Sequence, residues 1–87
     1  HIGVIGAGQM GSGIAAVFAA HGYEVRLIDE SQAALDSAKD RIATHLSKLS
    51  VSINQISFYS DLAALSNVDI AIEAIPENLQ LKHSLYT

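Results

Sequence analysis

The stretch Ile2-Gly3-Val4-Ile5-Gly6-Ala7-Gly8-Gln9-Met10-Gly11-Ser12-Gly13-Ile14 constrains this chain more than any other. It joins a short β-branched run to an alanine-rich helical pattern through a turn crowded with glycine. Gly6, Gly8 and Gly11 stand at the spacing G-x-G-x-x-G. In that arrangement the first glycine permits a tight bend, the second lets the backbone approach a pyrophosphate with no Cβ in the way, and the third lets the helix lie close to the strand. A helix starting near Gln9 would aim its free N–H groups and the positive end of its dipole at the phosphates. Such a site needs no basic side chain. Five of the six glycines fall within residues 3 to 13, with ordered patterns on both sides, which is not how a flexible linker is composed.

Composition narrows the classes around that turn. A chain that is 49% hydrophobic and 16% charged is globular rather than disordered. Its 87 residues can bury only a modest core. It opens on His1, and Leu79 to Thr87 reads as a helical pattern without a stop signal, so residues 1–87 are expected to be an incomplete nucleotide-binding domain of a longer protein. A net charge of −4 with five scattered basic residues argues against nucleic acid as a partner. The absence of cysteine excludes disulfides, thiolate nucleophiles and cysteine-based zinc sites. The longest apolar run, Ile14 to Ala20, is too short to span a bilayer, and no signal-like segment precedes it. No membrane association is expected, and the location expected is cytoplasmic, with mitochondrial as the alternative.

Taken in order, residues 2–5 form a strand and Met10 to His21 a helix, with Ile14, Val17 and Phe18 on one face and small alanines beside it. Gly22 ends the helix. Val25, Leu27 and Ile28 mark a second strand ending at Asp29. Leu35, Ala38, Ile42, Leu46 and Leu49 form the apolar stripe of a second helix from Gln32 to Leu49, whose Asp36, Lys39, Asp40, Arg41 and Lys48 read as a solvated face. Ile56 to Tyr59 is a third strand. Ser60 or Asp61 caps a helical turn at Leu62 to Ser66, and Val68 to Glu73 is a fourth strand, apolar enough to be covered on both faces. Pro76 turns the chain into a last helix from about Asn78. This alternation predicts an α/β fold, a doubly wound parallel sheet with right-handed crossovers. Its ligand edge comprises Gly6 to Gly11, Asp29 and the turn from Glu73 to Asn78.

Asp29 lies 18 residues beyond Gly11, near the offset at which a carboxylate accepts hydrogen bonds from the adenosine ribose. It would also repel a 2′-phosphate, so NAD is expected over NADP. A plainer alternative is that Asp29, or Ser31, caps the following helix. Glu73 fits either a cleft or a hydrogen-bonded structural carboxylate. Glu77 and Lys82 read, on their own, as an exposed pair in the first turns of a helix. None of the four histidines has an evident carboxylate partner: His1 is terminal, His21 ends a helix, and His45 and His83 fall in helical patterns.

Gly6-Ala7-Gly8-Gln9-Met10-Gly11-Ser12-Gly13-Ile14-Ala15, together with Ile72-Glu73-Ala74-Ile75-Pro76-Glu77-Asn78-Leu79 and Lys82, resembles the Rossmann-type NAD-binding domain of L-3-hydroxyacyl-CoA dehydrogenases almost end to end. The glycine pattern is shared with 3-hydroxybutyryl-CoA dehydrogenases, multifunctional β-oxidation enzymes and lambda-crystallin, whereas E-A-x-x-E-N-L-x-x-K is more discriminating. The resemblance implies that Gly6, Ala7, Gly8, Gln9, Met10 and Gly11 hold the pyrophosphate, Asp29 the adenosine ribose, and Glu77 with Lys82 the nicotinamide side of NAD. It further implies an acyl-CoA thioester substrate, a catalytic histidine and glutamate beyond Thr87, and a homodimer formed through a C-terminal domain. In the family a long lysine-rich helical hairpin follows the second helix and helps hold CoA. Here only Lys48 to Gln55 separates that helix from Ile56. Two other readings stay open: a non-catalytic NAD module of the crystallin or sensor kind, and a dehydrogenase of a free hydroxy acid.

Overall fold

The computed structural model describes residues 1–50, 52–75 and 78–83, with residues 75 and 78–83 as backbone only. Its elements are strand β1 (Ile2–Ile5), helix α1 (Gln9–Ala20), β2 (Val25–Ile28), helix α2 (Gln32–Lys48), β3 (Ile56–Tyr59), β4 (Ile70–Ile75) and β5 (Asn78–His83), with 3-10 turns at Ile53–Gln55 and Leu62–Leu65. The sheet runs β3-β2-β1-β4-β5. The first four strands are parallel, β1 lying between β2 (Ile5 opposite Ile28) and β4 (Ile5 opposite Glu73). From β1 the chain winds outward to β3, then returns to β4 on the other side of β1. The strand order therefore reverses at β1, and a doubly wound sheet places its ligand crevice at that switch point. This is the expected Rossmann-type architecture.

Period-two alternation decides which layer each strand residue joins. Ile2, Val4, Val25, Leu27, Ile56, Ile72 and Ala74 pack with both helices in one core. Ile28, Leu65, Val68 and Ala71 form a smaller core on the opposite face, beneath the Leu62–Leu65 turn. The α2 stripe matches expectation, with Leu35, Ala38, Ile42 and Leu46 buried, although Leu49 is exposed just past the helix. Each of the larger stripe residues contributes about 1.5–3 kcal/mol by leaving water.

Three details differ from the sequence reading. The buried face of α1 is Gly11, Ser12, Ala15, Ala16 and Ala19, while Ile14 and Phe18 are half-buried on its flank and Val17 is 54% exposed. A helix pressed this closely on its sheet accepts only short side chains in between, so size outweighs hydrophobicity in choosing the face. β4 begins two residues later than expected because the chain turns through Asn67, at φ +66°. The segment from Asn78, expected to be helical, is instead strand β5, antiparallel to β4 with Ile72 opposite Leu81 and Ala74 opposite Leu79. His83 is accordingly a strand residue. So short a segment is a marginal helix on its own, whereas the unpaired edge of β4 offers a ready row of backbone partners and Leu79 and Leu81 already alternate at strand period. The link from α2 to β3 is as short as the sequence suggests.

Candidate functional site

β1 leads directly into the glycine turn, and each glycine of the motif meets a different surrounding. Gly6 has φ +105°, and a Cβ there would lie 2.6 Å from the Ala74 carbonyl oxygen of β4. A Cβ on Gly11 would overlap the Gly6 carbonyl oxygen, so only glycine lets α1 rest on the end of β1. At Gly8 the space is open, with nothing within 4 Å of a Cβ. Gly8 is also the N-cap of α1, in extended conformation, and no side chain caps the helix. A 12-residue helix thus starts beside open space, with no side-chain cap and no acidic residue in its first turn. That surrounding suits a pyrophosphate, whose oxygens need amide donors and whose bulk needs the missing Cβ.

Asp29 is held at the end of β2 by its own N–H, which donates to the Tyr59 carbonyl at 3.0 Å, as Gly6 N–H donates to the Ile28 carbonyl at 2.7 Å. Its carboxylate faces the turn: Oδ2 accepts the Ala7 N–H at 2.8 Å and Oδ1 accepts the Ser31 N–H at 2.9 Å. The helix cap is Ser31, whose hydroxyl oxygen accepts the Ala34 N–H at 3.2 Å. Of the two roles open to Asp29 in the sequence, capping α2 therefore falls to its neighbour.

Two residues of this site escaped sequence reasoning. Ser12 Oγ donates to the Ala7 carbonyl at 3.3 Å, and Arg41 Nη2 donates to the same carbonyl at 3.2 Å and to Ser12 Oγ at 3.2 Å. Arg41 is exposed, as expected for that face of α2, yet its Nη2 reaches the back of the glycine turn. Lys39 is exposed as well, its Nζ sitting 5.1 Å from the centre of the Phe58 ring. A signal did exist for Ser12, the one polar residue on an otherwise glycine and alanine face, which must find a partner once buried.

Two hollows flank the turn and meet at Gly6 and Asp29. One, about 640 Å³, is lined by Gly6, Gly8, Gln9, Met10, Asp29 and Ala74 and by Ala34 from the first turn of α2. The other, about 560 Å³, lies over the ends of β1, β2 and β3 and includes Ile28, Ser60, Asp61 and Leu62. Of the sequence-predicted residues, Gly6, Gly8, Gln9, Met10 and Asp29 line these hollows, whereas Ala7 and Gly11 are buried and line neither. Glu73 is half-buried on β4, Lys82 lies on β5, and Glu77 falls outside the described residues. His1, whose Nε2 is 2.9 Å from Glu24, is at the opposite end of β1 from the turn. His21 Nδ1 lies 2.8 Å from the Val17 carbonyl oxygen at the far end of α1. Among the described residues no helix is long and apolar enough to cross a membrane.

The family model described as 3-hydroxyacyl-CoA dehydrogenase, NAD binding domain, matches residues 1–87. A probable 3-hydroxybutyryl-CoA dehydrogenase of Deinococcus radiodurans is 40% identical over 97% of this chain and 34% of its own length. The mitochondrial hydroxyacyl-coenzyme A dehydrogenase of Rattus norvegicus is 33% identical over 99% of this chain and 33% of its own. Among solved structures, the (S)-3-hydroxybutyryl-CoA dehydrogenase of Ralstonia eutropha superposes with a TM-score of 0.79 at 32% identity, covering 88% of this chain and 31% of that one. The chain spans about a third of the length of the curated relatives it matches.

Proposed function

The chain belongs to the NAD-binding domain family of 3-hydroxyacyl-CoA dehydrogenases, and from that premise we propose that it is the cofactor-holding part of an oxidoreductase interconverting L-3-hydroxyacyl-CoA, such as 3-hydroxybutyryl-CoA, and 3-ketoacyl-CoA in fatty-acid metabolism. The observation that carries the proposal is the uncapped start of α1 beside open space at Gly8, with the Asp29 carboxylate at the join of the two hollows. In this reading the amides from Gly8 to Gly11 bind the pyrophosphate. Asp29 accepts the ribose hydroxyls, with the adenosine over the ends of β2 and β3, and Glu77 with Lys82 serve the nicotinamide side. Asp29, Glu30 and Asp61 around the adenosine hollow disfavour a 2′-phosphate, which supports NAD over NADP.

NAD supplies the hydride acceptor, and these residues bind and orient it. Removing the hydroxyl proton needs a base, usually an imidazole oriented by a carboxylate. In this reading the base lies beyond Thr87, as the family resemblance implies, and so does the surface for a homodimer; His45, on α2, lines a separate hollow with Gln9, Ser12 and Arg41. Relatives include bacterial and mitochondrial enzymes, and we assign this one to the cytoplasm. Full-length protein is expected to reduce NAD+ with 3-hydroxybutyryl-CoA while residues 1–87 alone produce no NADH. Inactivity of both, or activity of the short piece, would sink the proposal.

A further inference from the structure

The glycine turn is held through one residue and the two peptides that flank it. Ala7 is fully buried, and its N–H and C=O are both bound by side chains, the N–H by Asp29 and the C=O by Ser12 and Arg41. Ser12, only 4% exposed, has a single proton to give. Arg41 is a donor only, so its Nη2 contact with Ser12 Oγ uses the lone pairs of that oxygen and leaves the Ser12 proton to the Ala7 carbonyl. The Ala7 carbonyl, the Ser12 hydroxyl and Arg41 Nη2 thus form a closed arrangement of three contacts. The peptide unit is planar and trans, so the Ala7 C=O and the Gly8 N–H point in opposite directions. With the carbonyl turned toward Ser12 and Arg41, the Gly8 N–H points away from both.

We infer that Arg41, from the second helix, is a positioning residue for the nucleotide: by holding the Ala7 carbonyl together with Ser12, it fixes the Ala7–Gly8 peptide with its N–H turned away from Arg41, toward the phosphate side of the turn. This rests on the reading that the turn holds the pyrophosphate, and adds to it a residue that does not touch the ligand. A flipped or wobbling peptide would present a carbonyl dipole where an anion requires a donor. The guanidinium acts here as a hydrogen-bond donor and not as a counter-charge.

The test is NADH titration of the full-length protein, followed by fluorescence, with thermal melting alongside. Arg41→Ala is expected to raise the Kd for NADH by about fivefold, the loss of roughly one net hydrogen bond. Ser12→Ala should do the same, and the double variant should be little worse than either single one, because all three remove one arrangement. Arg41→Gln, which keeps a donor and loses the charge, should recover most of the affinity. Simple loss of folded protein lowers the titration amplitude and leaves Kd unchanged, so an unchanged Kd overturns the inference. Additive single effects, or no recovery with Gln, overturn it too, since either means that Arg41 acts separately from Ser12 or through its charge. Should Arg41→Ala fail to fold, Arg41→Gln and Arg41→Lys decide, with Lys, a single point donor, expected between wild type and Ala. Gly8→Val separates the two levels: if it still binds NADH, the turn is not the pyrophosphate site, whereas lost binding there with an indifferent Arg41 refutes this inference alone.

Discussion

The two long helices begin alike and are finished differently. Both follow a parallel strand after a short turn, and both have an N-cap residue in extended conformation. At α2 the cap is Ser31, whose side chain accepts the Ala34 N–H. Even the two 3-10 turns are capped this way, by Ser52 and Asp61. Among the described helical starts α1 alone has no side-chain cap. A side-chain cap is worth about 1 kcal/mol, so the chain forgoes stability at one helix start that it takes at the other three. The difference teaches where local satisfaction ends and a ligand is needed: the amides left over at Gly8 are those that an anion can complete.

That contrast can be broken by giving α1 the finish of α2. Gly8→Asp supplies a capping carboxylate where there is room for it. The melting temperature is expected to hold or rise slightly, while NADH affinity falls by about a hundredfold, on the order of two charge-assisted hydrogen bonds. Calorimetry that found NADH binding intact in a folded Gly8→Asp protein would place the cofactor elsewhere. Asp29→Ala removes the carboxylate between the two starts. It should weaken NADH by about tenfold, the scale of one charge-assisted bond, and narrow the preference over NADPH. Equal wild-type affinities for the two nucleotides would disprove the ribose assignment. The smallest effect belongs to Ser31→Ala, expected to cost about 1 kcal/mol in denaturant unfolding with NADH affinity within twofold. A large loss of affinity there would mean that the capped start is also part of the site.

Much of this was legible beforehand, for reasons that can be given residue by residue. Gly6 and Gly11 sit where steric contact allows nothing else, so their spacing alone specified the turn, and the strands through Ile28 and Tyr59 followed from short apolar runs between turn residues. Asp29 was legible as a position, its carboxylate lying at the turn. The fastening of the Ala7 backbone was not, because its partners Asp29, Ser12 and Arg41 are brought together by the packing of α1 against α2 and the end of β2, and periodicity says nothing about which polar residue crosses between helices. The buried face of α1 was misjudged because hydrophobicity was weighed ahead of size. β5 was misjudged because its conformation is decided by a neighbouring strand edge, which local sequence does not contain.

Gly6 leans on the backbone of Ala74, and β1 is hydrogen-bonded on both sides, to β2 and to β4. The glycine turn therefore takes its final shape only after contacts almost seventy residues apart have formed, Ile2 opposite Ile70 among them. Such non-local pairing is slow to assemble. The glycine turn, which precedes β4 in the sequence by more than sixty residues, is thus among the last parts to become native, and a nucleotide that recognised only the finished turn would act as a clasp on that closing step. Each tenfold excess of nucleotide over its Kd then adds about 1.4 kcal/mol to the stability of the assembled sheet.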